Sequence, residues 1–200
     1  QTAIASARAP KDYKVQFTAE DAHVETCVGP CVEDPFEISN QEKADLLLGC
    51  CNTMMDVPNI VMAYGAMRFS RSQRIIANTD GSYLDLTTCF TTPMMGATAV
   101  VGKESQSRSY QRGARQAGYE FVREVDLAAH AKSYAEDAVL KCNAEDTPQG
   151  VMDLVLDPMH LSLTMHESVG HATELDRILC WEANMAGRSF VNPEDIGKLQ

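Results

Sequence analysis

The sequence lacks the features that mark membrane proteins and nucleic-acid-binding proteins. No apolar run among its 200 residues is long enough to cross a bilayer, and no signal-peptide pattern opens the chain. Basic residues are in deficit, with 17 Lys and Arg against 28 Asp and Glu, which gives a formal net charge of -11. Because such a charge is repelled by nucleic acid and by anionic lipid surfaces, we expect direct contact with neither.

The seven cysteines lack the even number and the regular spacing of a disulfide framework. They predict mostly reduced thiols in a reducing compartment. Cys27 and Cys31 have the spacing of a metal or redox pair, but no second pair completes it, and ordinary thiols are the favoured interpretation. The chain also begins with Gln1 in place of Met and stops without a polar tail, so we expect a fragment of a longer protein.

The hydrophobic content of 44% is enough to fill a core. Residue periodicity predicts helices over 42–55, 126–141 and 161–179, with Ser39 or Asn40 capping the first. It predicts short strands at 13–17, 22–27, 60–64, 74–77, 83–87, 97–101 and 151–156, a hairpin turn at 78–81 and a polar loop at 106–118. We therefore expect an α/β (α+β) fold, in which a mixed sheet carries packed helices and the last helix follows a strand. Residues 1–41 are expected to be an irregular part of a truncated domain.

His166, Glu167 and His171 form an H-E-x-x-x-H pattern. Peptide hydrolysis at neutral pH needs a strong nucleophile and charge stabilisation, and a zinc-type metal held by imidazoles supplies both. A carboxylate beside the first imidazole can take a proton from water and return it to the leaving amine. The pattern predicts His166 and His171 as ligands of a divalent metal, with zinc favoured, and Glu167 as the general base. The alternative is a helix with two unrelated histidines.

The spacing of the two histidines differs from that of the familiar zinc-peptidase helix, which places them at i and i+4. Here they stand at i and i+5. Five residues of a regular α-helix turn through roughly 500°, which leaves the two rings about 140° apart. A π-bulge or a kink would realign them, and Gly170 lowers the cost of such a distortion. The sequence therefore predicts an irregular helix at residues 169–171.

Residues 166–176, HESVGHATELD, resemble the signature helix H-E-A-x-G-H-x-x-E-x-D of the TldD/PmbA family of metallopeptidases, as it occurs on TldD-type catalytic subunits. Two upstream segments are also similar to that family. They are IANTDG at residues 76–81 and GYE at residues 118–120, where Ala117 replaces a first Gly. The resemblance runs from about Asp34 to the end of the chain.

The resemblance implies a cytoplasmic metal-dependent peptidase that hydrolyses unfolded or extended peptides and pairs, as a hetero- or homodimer, with a TldD/PmbA-type subunit. It also implies that residues 42–200 form an α/β domain of this family, followed by a C-terminal domain that supplies a Cys beyond residue 200 as the third metal ligand. Within the chain, Glu174 is a candidate ligand or supporting acid, and Cys180 is a candidate thiolate ligand. The alternative is a non-catalytic partner or regulatory subunit, a modulator of a topoisomerase or antitoxin pathway. The intact Glu167 argues against it.

Overall fold

A mixed sheet of five strands forms the centre of the fold, in a computed structural model that describes residues 19–185, 187–195 and 197–198. The strands are β1 (Val24–Val28), β2 (Ile60–Ala77), β3 (Tyr83–Val101), β4 (Glu104–Gln111) and β5 (Arg115–Gln116). β2 and β3 form a long antiparallel hairpin. β1 pairs in parallel with the other edge of β3, and β5 and β4 pair with that edge in antiparallel fashion.

Two longer helices and one short helix accompany this sheet: α1 (Asn40–Met55), α2 (Glu120–Val125) and α3 (Leu127–Cys142). The Ser39 hydroxyl caps α1 by accepting a hydrogen bond from the backbone N–H of Glu42 at 3.1 Å. The Asp126 carboxylate caps α3 by accepting from the N–H of Ala129 at 3.3 Å. These caps supply partners for N–H groups that the first helical turn leaves unpaired. The α/β fold class and the predicted helices at 42–55 and 126–141 are confirmed.

The hydrophobic core lies between one face of the sheet and helices α1 and α3. Alternate residues of β3 point into it, because successive side chains of a strand face opposite sides. Small side chains on both layers allow α3 to lie close to the sheet. The core members include Met54, Met95, Ala97, Ala99, Leu127, Ala131, Ala135 and Ala138, each 1% exposed or less.

The hairpin turn is confirmed, because Gly81 adopts a φ of 97° and Asn78 accepts hydrogen bonds from the N–H groups of Asp80 and Ser82. The predicted strands at 60–64, 74–77, 83–87 and 97–101 are only the ends of the two long strands. Pro93 obscured the continuity of β3, since proline is rare inside a strand. Pro93 lies in the stretch of β3 between the part that pairs with β4 and the part that pairs with β5.

The predicted polar loop at 106–118 was wrong, because β4 and β5 occupy much of it. The β4 sequence is polar because its pairing with β3 relies on backbone groups, while most of its side chains remain at the surface. Tyr110 is its exception: the ring is buried and packs edge-on against Tyr134 of α3, with centroids 6.1 Å apart.

The predicted strand at 151–156 was also wrong, because these residues have no regular structure. Its apolar side chains are exposed except for that of Leu156, which is half-buried, and Val151 and Val155 are almost fully exposed. A strand requires a hydrogen-bonded neighbour, and none of the described strands pairs with this segment. The predicted strand at 13–17 lies outside the described residues.

The chain continues into helical turns that pack mainly on one another. They are α4 (Pro158–Met165), a π-helical turn (His166–Gly170), a 3-10 turn (His171–Thr173), α5 (Leu175–Ile178) and a second 3-10 turn (Pro193–Asp195). The continuous helix predicted over 161–179 is therefore broken, at Glu174, where ψ is 120°. None of the described helices is both long enough and apolar enough to cross a bilayer.

Candidate metal centre

The helix that carries the H-E-x-x-x-H residues starts at a strong local signal. The Asp157 carboxylate accepts a hydrogen bond from the N–H of Met159 at 2.8 Å, and Pro158 occupies the first turn. Proline suits this position because its missing N–H would have no helical partner there. These local signals set where α4 begins, about two turns before His166.

The π-helical turn decides how the two histidines meet. The backbone N–H of His171 donates to the carbonyl of His166, five residues earlier. In a turn closed in this way, side chains five residues apart leave the helix axis in nearly the same direction. Both imidazole rings therefore lie on one side of the helix. Their centroids are 4.3 Å apart and their planes differ by 76°. The predicted departure from α geometry is confirmed, and it starts at His166, three residues earlier than expected.

Two backbone carbonyl groups at the end of the π turn accept hydrogen bonds from one side-chain hydroxyl. The hydroxyl of Thr173 contacts the carbonyl oxygens of Val169 at 2.9 Å and Gly170 at 3.1 Å. These contacts give the irregular segment partners that the regular helical pattern does not supply.

His166, Glu167 and His171 bring together one potential ligand atom each, and all of these atoms lie within 4.8 Å of one another. Nε2 of His166 is 3.9 Å from one carboxylate oxygen of Glu167, and Nε2 of His171 is 3.8 Å from the other. The side chains of His166 and Glu167 are 58% and 60% exposed, whereas that of His171 is 29% exposed. Within the described part of the chain, no other group of three or more His, Cys, Asp or Glu side chains converges in this way.

His171 is held from its far side by Glu174. The distance from His171 Nδ1 to Glu174 Oε1 is 2.7 Å. Arg177 lies against the same two groups, with one terminal nitrogen 3.1 Å from His171 Nδ1 and its Nε facing the other Glu174 oxygen as an ion pair outside hydrogen-bond geometry. The hydrogen bond from His171, followed by the charge of Arg177, lowers the pKa of the Glu174 carboxyl.

The two contacts at His171 Nδ1 require opposite tautomers, because Arg177 can only donate and Glu174, when ionised, can only accept. The shorter contact and the neighbouring Arg177 charge favour an ionised Glu174 that accepts the Nδ1 proton. In a neutral His171 imidazole this tautomer leaves the Nε2 lone pair free on the side of Glu167.

Among the other sequence candidates, Glu174 contacts His171 and not the shared space between the two rings. Cys180 is exposed and stands outside the converging group. Sequence reasoning missed Arg177, which contacts both His171 and Glu174. The signal for it was the i, i+3 spacing of Glu174 and Arg177, although a break in the helix separates them.

A sequence model described as the PmbA/TldA metallopeptidase central domain matches residues 33–141, more than half of the chain. The chain belongs to the PmbA/TldA family. The matched residues cover most of the sheet with α1, α2 and nearly all of α3, and the H-E-x-x-x-H residues lie after them. The resemblance to the TldD/PmbA family is thereby confirmed.

Two archaeal relatives of this PmbA/TldA chain are named metalloproteases. The protein of Methanothermobacter thermautotrophicus is 25% identical over 154 residues, which span 77% of this chain and 34% of the relative. That of Methanocaldococcus jannaschii is 27% identical over 155 residues, which span 73% of this chain and 32% of the relative. The chain thus spans about a third of the length of these relatives.

A solved structure from Thermotoga maritima shares the fold. It is described as a proposed modulator of a DNA gyrase, and it superposes with a TM-score of 0.50 at 19% identity. The superposition covers 74% of this chain and 32% of that one.

Proposed function

We propose that the protein is a metal-dependent peptidase in which His166 and His171 bind the metal and Glu167 is the general base. The π-helical turn carries this proposal, because it brings histidines five residues apart to the same side of the chain. A regular helix would separate them. Membership of a metallopeptidase family and the two relatives named metalloproteases support the same reaction class.

The donor set fits a zinc-type ion. Two nitrogen ligands at about 2.1 Å from one ion lie no more than about 4.2 Å apart, and imidazole nitrogen is a preferred zinc ligand. The potential ligand atoms of His166, Glu167 and His171 already lie within 4.8 Å of one another. Small rotations of the exposed His166 and Glu167 side chains would bring them into range. A third protein ligand is expected from a Cys beyond residue 200, as the family resemblance implies.

A metal in such a site acts as a Lewis acid that lowers the pKa of bound water and polarises a carbonyl. The chain itself supplies the proton transfer. Glu167 faces the Nε2 atoms of both histidines, so its carboxylate can accept a proton from the attacking water and return it to the leaving amine. Glu174, by accepting the Nδ1 proton, holds His171 in the tautomer whose Nε2 lone pair can bind a metal, and Arg177 places a positive charge beside Glu174.

Glu167 has a second possible role, since its oxygens lie at similar distances from both histidines and would also suit a ligand. His166 and His171 would then share the metal with Glu167, and the proton acceptor would be another group. We favour the base because a carboxylate beside a ligand, on the open side of the site, is placed to reach water.

The substrate is proposed, on the family resemblance, to be an unfolded or extended peptide. A hetero- or homodimer with a TldD/PmbA-type subunit and a cytoplasmic location are proposed on the family resemblance. The competing function is a regulatory subunit that acts by protein binding, and the name of the Thermotoga maritima structure favours this second candidate.

The test compares three variants of the full-length protein, with bound metal and peptide cleavage measured on each. Glu167→Gln should keep the metal and lower turnover by roughly 10²-fold or more, the usual contribution of a general base. His166→Ala should lose metal and activity together. His160→Ala is the matched control, because this exposed histidine lies on the same helix outside the converging group.

Loss of metal in Glu167→Gln would make Glu167 a ligand, and wild-type cleavage by that variant would remove it from the chemistry. If the zinc-loaded wild-type protein cleaves no unfolded substrate, alone or with its sister subunit, the peptidase proposal fails and the regulatory function is favoured.

A further inference from the structure

A cluster of two thiols, an arginine and a carboxylate lies at the middle of the β2–β3 hairpin, well separated in sequence from the candidate metal centre. Cys89 of β3 and Arg71 of β2 are directly opposite each other in the antiparallel register. Their side chains therefore project from the same face of the sheet. Arg71 forms a 2.6 Å ion pair with Asp34, which belongs to the segment between β1 and α1. That segment is thereby anchored above Cys89.

Cys31 lies in the same segment and reaches the same spot. Its thiol donates to the backbone carbonyl of Glu33 at 3.9 Å, and it lies close enough to Arg71 and Cys89 to interact with both. Both cysteines also border residues 117–118. A methyl group at Gly118 would come within 2.9 Å of the Cys31 sulfur, and the N–H of Ala117 donates to the carbonyl of Cys89 at 3.1 Å.

The two thiols differ in access. Cys89 is 3% exposed, while Cys31 is half-buried. Burial, followed by the interaction with the Cys31 thiol, raises the pKa of the Cys89 thiol to about 11. A protonated and buried thiol reacts slowly with oxidants, so Cys31 is the point of entry.

We propose that Cys31 and Cys89 form an oxidant-reactive dithiol site, which a peroxide or a small disulfide converts into a disulfide bond. With hydrogen peroxide, the Cys31 sulfur attacks one oxygen and the O–O bond breaks, leaving a sulfenic acid and one water molecule. The Cys89 sulfur then displaces the sulfenic oxygen, which leaves as a second water molecule, and the S–S bond forms. The two thiol protons end in these waters; two electrons pass from the sulfurs to the peroxide.

Two other uses of Cys31 are disfavoured. A disulfide between Cys31 and Cys27 is disfavoured, because Cys27 is exposed on β1, where it pairs with Leu86 of β3. A metal site would need at least one more ligand, and within the described residues no third His, Cys, Asp or Glu side chain converges on Cys31 and Cys89.

The disulfide would tie the segment between β1 and α1 to the centre of the sheet. It would close a long loop, because residues 32–88 lie between the two cysteines, and long loops restrict the unfolded chain most. Oxidation should therefore raise the melting temperature by roughly 5–10 °C. Reduction with a dithiol reagent should reverse the change.

The experiment treats the native full-length protein with hydrogen peroxide or oxidised glutathione, blocks free thiols and digests with trypsin without reduction. Residues 15–43, which contain Cys27 and Cys31, and residues 75–103, which contain Cys89, form separate peptides. We expect them to be joined, with the loss of two hydrogen masses. Cys27→Ser is the matched control, because it removes the competing thiol and should keep both the cross-link and the rise in melting temperature.

Cys31→Ser and Cys89→Ala should each abolish the cross-link, and the use of both variants guards against loss of folding in one of them. A bond within residues 15–43, oxidation of Cys31 to a sulfinic acid without a cross-link, or a cross-link that survives in Cys31→Ser would each overturn the proposal. So would a cross-link that forms only in urea.

Discussion

Replacing Glu120 with glutamine removes the charge of a carboxylate that binds the backbone of residues 32–33 and of Gly118, two segments distant in sequence. One Glu120 oxygen accepts hydrogen bonds from the N–H groups of Val32 at 3.2 Å and Gly118 at 2.8 Å, and the other accepts from Glu33 at 2.9 Å. The glutamine carbonyl can keep the first two bonds. Its NH₂ group then faces the N–H of Glu33, donor against donor.

The cost of this substitution follows from counting those bonds. One half-buried N–H loses its acceptor, which costs about 1–3 kcal/mol, and the two remaining bonds lose the strength that the charge provides. We expect Glu120→Gln to lower the free energy of unfolding by about 2–3 kcal/mol. Urea unfolding followed by far-ultraviolet circular dichroism measures it. Tryptophan fluorescence would not, because the only tryptophan, Trp181, lies after α5 and away from the sheet.

Glu124→Gln is the matched control on the same short helix. Glu124 pairs with Arg115 at 2.7 Å, but both side chains are more than half exposed, so its loss should cost less than about 1 kcal/mol. Equal stabilities for Glu120→Gln and the wild type would refute the reasoning.

The pH dependence gives a second test of the same interaction. Burial acts to raise the pKa of Glu120, and the N–H donors of Glu33, Gly118 and Val32 lower it by more, so it lies below the ordinary value of 4.5. A carboxyl with a depressed pKa stabilises the fold fully above its unfolded-state pKa and loses this contribution as the pH falls through the folded value. The difference between wild type and Glu120→Gln should therefore be constant at neutral pH and shrink below about pH 4.5.

Three further substitutions test other parts of the structure. Glu174→Gln should weaken zinc binding by roughly 10- to 100-fold, measured by competition with a chelator, and unchanged affinity would show that Glu174 does not support His171. Gly118→Ala should cost more than about 2 kcal/mol in urea unfolding, because the new methyl group would come within 2.1 Å of a backbone oxygen, whereas Gly113→Ala, which meets nothing within 4 Å, should be neutral. Asp126→Ala should cost about 1–2 kcal/mol through the lost cap of α3, while Asp126→Asn, which keeps an acceptor and tolerates the φ of 46°, should cost under about 0.5 kcal/mol in the same assay.

The parts of the fold that local sequence determines could be predicted. Ser39 and Asp126 are cap residues whose hydrogen bonds involve neighbours three positions away, and Gly81 sits in a turn of four residues. The H-E-x-x-x-H residues were likewise recognisable within a stretch of six. If the two histidines share one metal, their spacing requires an irregular turn, and the structure shows such a turn.

The parts that depend on distant partners could not be predicted. The polar β4 sequence forms a strand because the edge of β3 is available to it, and residues 151–156 do not, although they are apolar, because none of the described strands pairs with them. Arg177 reaches His171 only because the chain breaks at Glu174. Cys31 and Cys89 lie close together only because segments almost sixty residues apart pack against each other, and residue spacing does not reveal such packing.

The H-E-x-x-x-H motif is one residue longer than the H-E-x-x-H motif, and the π-helical turn accommodates the extra residue. Inserting one residue into a regular helix rotates everything beyond it by about 100°. A π turn confines that change to one turn, so His171 can take the place that a histidine four residues after His166 would hold. Deleting Ser168 should then produce an ordinary helix that still presents both imidazoles on one side. The two motif lengths are thus one mutational step apart, and a lineage could pass between them without losing its pair of nitrogen donors.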